Sequence, residues 1–137
     1  MLHDPSHYTP AVSAEEIVVS SADKDVLRRL AEQKAEISSL PVQQETTRLW
    51  TAPNDMVPER PMVWANEICW NEMEHNEELT LQCEGGWARE QERVLRHEIY
   101  QWNHLPGDIV VSTRGSNAQR RFTAPILELL SRPISAL

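Results

Sequence analysis

The chain is 137 residues long, with 13 Lys and Arg against 21 Asp and Glu and a formal net charge of −8, enough for a single domain with a modest core. The charge is uneven: residues 1–112 hold nine basic and twenty acidic side chains (net −11), whereas residues 113–137 hold four and one (net +3). A body this acidic repels phosphate backbones, which sets nucleic acid aside, and no run of eighteen apolar residues suggests a membrane span. With two cysteines, Cys69 and Cys83, outside any C-x-x-C pair and no secretory signal pattern at the N-terminus, the reading is a cytoplasmic protein with free thiols.

Residues 1–21 contain Pro5, Pro10 and one short apolar patch at Ile17-Val18-Val19, which reads as an N-terminal arm. Val26, Leu27, Leu30, Ala31 and Ile37 then recur at helical spacing, so a helix is expected over Ala22–Ser38 with Ser21 as N-cap and Asp23 and Asp25 at its positive end. Pro41 suits the first position of a second helix, expected to end near Trp50. Asn54, Asp55 and Pro58 mark a turn-rich connection, out of which Pro61–Asn66 emerges as an apolar run of strand length, typical of a strand buried on both faces in a parallel sheet.

The loop over residues 67–84 is dense in carboxylates. A third helix follows over Gly86–His104, with Trp87, Gln91, Leu95, Ile99 and Trp102 on its inner face and Arg89, Glu90, Glu92 and Arg93 turned outward. Asp108–Val111 is the second strand candidate, which makes strand, loop, helix and strand one βαβ unit. The remainder, residues 113–137, is a basic tail with a short apolar helix candidate at Pro125–Leu130.

Across residues 23–111 the order of these elements resembles the N-terminal region of bacterial uroporphyrinogen-decarboxylase-like proteins. The resemblance is carried by Glu59-Arg60-Pro61-Met62-Val63-Trp64-Ala65-Asn66-Glu67-Ile68, by Glu78-Leu79-Thr80-Leu81-Gln82-Cys83-Glu84, and by Leu95-Arg96, Tyr100-Gln101-Trp102 and Asp108-Ile109-Val110-Val111. It implies an α/β fold, the N-terminal fragment of a (β/α)8 barrel, mostly helical with two or three short strands: residues 22–112 would be the helical lead-in plus the first βαβ unit. Because a whole barrel takes roughly 200–250 residues, the chain is expected to be a truncated front end, inactive alone, of a decarboxylase or methyltransferase superfamily protein. The zinc or corrinoid of that superfamily is expected only in the full-length proteins, with no cofactor here. The expected partner is a second copy or the missing barrel portion.

Barrel active sites sit at the C-terminal ends of the strands, so the 67–84 loop would line the pocket mouth. Of its carboxylates, Glu67 and Glu72 are the candidates for acid/base work, which needs a half-buried setting to tune a carboxylate toward neutrality. Arg60, Trp64, Asn66 and Trp70 are the candidate substrate contacts, Arg60 by pairing with a carboxylate. Cys69, His75 and Cys83 are too widely spaced for a zinc pattern, so no metal is expected. The competing reading is a small non-enzymatic helical module that mediates protein association through exposed Trp and Leu faces.

Overall fold

The computed structural model describes residues 17–73 and 75–113. Three helices carry these residues: α1 (Ser21–Ser38), α2 (Pro41–Asn54) and α3 (Gly86–His104), with short 3-10 turns at Trp70–Met73 and Glu77–Leu79 between the last two. The expected tail helix at 125–130 and most of the N-terminal arm lie outside the described residues. No described helix is long and apolar enough to cross a membrane.

α1 begins one residue earlier than its spacing suggests. Ser20, in extended geometry, is the N-cap, and its hydroxyl accepts the Asp23 N–H at 3.1 Å. Ser21 is the first helical residue, and the Ser20 hydroxyl receives the N–H of the third. α1 packs on α3 through Leu27, Leu30, Ala88 and Leu95, with Cys83 sealed between them and Val19, Val26, Trp87 and Ile99 around the edge.

That core contains charge. Asp23 and Lys34 lie on the same stripe of α1 as Leu27 and Leu30 and are buried with them, and Lys34 meets Glu98 of α3 at 2.6 Å. Glu92, expected on the outer face of α3, is instead fully buried. Its carboxylate accepts the backbone N–H groups of Gln82 (2.8 Å) and Cys83 (2.8 Å) and is paired with Arg96 at 2.7 Å. A carboxylate placed there satisfies a non-helical backbone segment that otherwise would be buried without partners.

The expected βαβ unit is not formed: among the described residues there is no strand and no sheet, and the barrel-fragment fold is corrected to a small helical domain. The two segments expected to be strands do meet, but at one point. Asp108 donates its N–H to the Val63 carbonyl at 2.7 Å, and the Asp108 carboxylate takes the Val63 N–H at 2.7 Å. The groups that a ladder would use are capped by α2 side chains: the Trp50 indole N–H donates to the Asp108 carbonyl at 2.6 Å, and Gln43 Oε1 accepts the Val111 N–H at 2.9 Å. Pro61 contributes no donor. Residues 62–64 are also not buried on two faces as a central strand would be, since Val63 is 64% exposed and Trp64 60%.

α2 runs four residues beyond Trp50. It ends in a left-handed cap: Met56 has φ +61° and donates its N–H to the Pro53 carbonyl, while Val57 donates to that of Ala52. This is the Schellman pattern, with a non-glycine in the position glycine usually fills.

Candidate functional site

The residues singled out for chemistry do not converge. Glu67 and Glu72 are both exposed to solvent, so neither occupies the half-buried setting that acid/base work requires. Glu74, from the same loop, lies outside the described residues. Asn66 is exposed as well. Arg60 is spent within the molecule: its guanidinium forks onto the Asp108 carboxylate at 2.6 and 3.1 Å. This fork and the Val63 N–H hold Asp108 well below the usual carboxylate range, at about 2. Cys69 is exposed and Cys83 buried, and among the described residues no three His, Cys, Asp or Glu are grouped to hold a metal ion.

What Arg60 builds is a strap. Residues 56–66 and 105–111 are joined by the Arg60–Asp108 fork and by the two bonds between Val63 and Asp108. Trp50 and Gln43 pin the strap to α2, and the Gln101 side-chain amide pins it to α3 by donating to the Ala65 carbonyl at 2.9 Å. Gly107 turns the chain there with φ +45°, its Cα so close to the Val63 carbonyl that a Cβ would meet that oxygen at 2.8 Å. On this strap Met56, Val57, Val63, Trp64, Leu105 and Val110 all remain exposed.

Trp70 is placed differently from the other sequence candidates. Its ring stacks on His97 with centroids 3.9 Å apart and planes 5° from parallel, and meets Tyr100 edge-on at 6.0 Å. Trp70 and His97 line a cavity of about 390 Å³ together with Leu79 and Leu81 of the preceding loop and Arg89 and Arg93 of α3. Burial, and then the charge of Arg93, hold the His97 imidazole below its ordinary value, which favours the neutral ring. Arg89, Arg93 and His97 recur every four residues, so one ridge of α3 presents all three. That spacing was available in the sequence; what turns the ridge into a wall is the fold of the 70–81 loop beside it.

The buried carboxylates are structural. Asp23 accepts the N–H groups of Gly85 and Glu84, both at 3.0 Å, and these bonds lower its pKa. For Glu92, burial opposes ionisation, but the Cys83 and Gln82 N–H groups and Arg96 outweigh it and hold the carboxylate below its ordinary value. Between them the Cys83 thiol is pushed up to about 12, first by burial and then by the neighbouring Glu92. Such a thiol is a packing group and a poor nucleophile.

No family model matches the chain, no curated protein matches it in sequence, and no solved structure matches it.

Proposed function

We propose that this chain is a non-catalytic helical docking module, and that its partner is the remainder of a uroporphyrinogen-decarboxylase-like protein, whose N-terminal region residues 23–111 resemble. The single observation that supports this reading is the strap with Val63 and Trp64 held outward. An exposed Trp beside an exposed Val on backbone that is already cross-linked loses little further freedom on association, which is the condition under which an aromatic anchor contributes most. Isolated apolar side chains on a surface are ordinary, whereas here six fall along one pair of joined segments.

The partner on this reading is the catalytic body of a protein of that type, and the chemistry resides in that body. The test is isothermal titration of the full chain into a uroporphyrinogen-decarboxylase-like protein from which the corresponding N-terminal residues have been deleted. One-to-one binding is expected, weakened at least about ten-fold by Trp64→Ser, a loss of about 1.4 kcal/mol. Absence of binding, or equal binding by the variant, contradicts the proposal. Light scattering on the chain alone separates this from self-association, in which Trp64→Ser would convert an oligomer to a monomer.

A further inference from the structure

We propose that the cavity beside Trp70 is a binding site for a small aromatic oxyanion, its ring lodged against Trp70, Leu79 and Leu81 and its anionic head held by Arg89 and Arg93. The cavity, at about 390 Å³, falls in the range of small-ligand sites. Its apolar wall and its cationic wall face the same space, and among the described residues lining it none is acidic. In a chain of net charge −8 this is a local reversal of sign. Most cations of the described residues are neutralised by a carboxylate, as in Arg28–Asp25, Lys34–Glu98, Arg48–Glu45, Arg60–Asp108, Arg96–Glu92 and, at the cavity itself, Arg93–Glu90.

Arg89 differs. Its bond is to a neutral group, the Cys83 carbonyl, at 2.9 Å, which fixes the direction of the guanidinium without discharging it. Arg93 gives one N–H to Glu90, whose side chain is 64% exposed and does not line the cavity. Each guanidinium has five N–H donors, so both retain donors for an oxyanion. Two arginines one helical turn apart suit the paired oxygens of a carboxylate or phosphate. The aromatic stack supplies the flat wall, and the neutral state of His97 keeps that wall apolar.

The test uses the full chain and four probes: 2-naphthoate, 2-naphthyl phosphate, the neutral 2-naphthamide and acetate. Titration calorimetry reads affinity, and ¹H–¹⁵N chemical shifts locate the site. The expectation is one-to-one binding of naphthoate or naphthyl phosphate with shifts at the Trp70 indole, Leu81, Arg93 and His97. Naphthamide and acetate should each bind at least about ten-fold more weakly, as expected for loss of a charge-assisted pair or of the ring contact. Whichever oxyanion binds more tightly identifies the head group. Arg93→Gln and Arg89→Gln should weaken the oxyanions and leave naphthamide unchanged. Because Arg89 also supports the Cys83 carbonyl, Arg93→Gln, whose partner Glu90 is on the surface, decides the matter if Arg89→Gln unfolds. Equal affinity for naphthoate and naphthamide, no change in Arg93→Gln, or shifts confined to Val63 and Trp64 would overturn the proposal.

Discussion

Gly107 and Met56 sit in the same unusual region of backbone space for opposite reasons. At Gly107 the left-handed turn and the approach to the Val63 carbonyl both require the absence of a Cβ. Gly107→Ala is therefore expected to lower stability by roughly 1–3 kcal/mol in urea unfolding, and to loosen the strap locally, seen as faster amide exchange at Asp108. Met56 adopts its positive φ with its side chain 88% exposed, so it has little packing to lose. Met56→Gly should raise stability by roughly 0.5–1 kcal/mol by removing the left-handed penalty at the α2 cap. A decrease would show that Met56 makes a contact in solution that outweighs the strain.

At the scale of the element, α3 depends on two glutamates only two positions apart that behave differently. Glu92 is sealed between the 82–83 backbone and Arg96, whereas Glu90 pairs with Arg93 in solvent. Removing one partner of a buried pair leaves the other uncompensated, so Glu92→Ala is expected to cost about 3 kcal/mol or more. Glu90→Ala should cost less than about 1 kcal/mol, as for exposed pairs generally. Comparable losses in the two variants, measured by chemical denaturation, would contradict the burial of Glu92. The helices themselves were legible: periodicity located α1 and α3 to within a residue, because the side chains facing the partner helix must recur every three to four positions. The polar members of those faces were not. Asp23, Lys34 and Glu92 satisfy the same spacing as their apolar neighbours, but whether a charged residue at such a position turns inward depends on backbone groups from a distant loop.

For the molecule as a whole, stability has two pH limbs. Asp23, Glu92 and Asp108 are held below their ordinary values, so their contribution is full above the usual carboxylate range and is lost as pH falls, for Asp108 toward about 2. Cys83 is raised from 9.0 to about 12, so its neutral form stabilises the fold fully below pH 9 and that contribution is lost as pH climbs from 9 toward 12. The alkaline decline in unfolding free energy should be steeper in the wild type than in Cys83→Ala, by at most about 1.4 kcal/mol per pH unit. Cys69→Ala, at an exposed site, should leave the limb unchanged. Identical slopes in all three proteins would exclude the buried thiol as its source.

By itself, the sequence determined three helices, the ends of α1 and α3, the start of α2 and the acidity of the body, because periodicity, helix-starting residues and charge are local properties. The tertiary structure decided what the two apolar runs become. Pro61–Asn66 and Asp108–Val111 have the composition of strands, yet a ladder forms only if backbone groups find one another, and here Asp108, Trp50 and Gln43 take those groups first. Hydrogen bonds from side chains 45 to 68 positions away in sequence cannot be read from local pattern. The same is true of the cavity at Trp70, whose cationic ridge is visible in the spacing of Arg89, Arg93 and His97 but whose remaining wall exists only once the 70–81 loop has folded against α3.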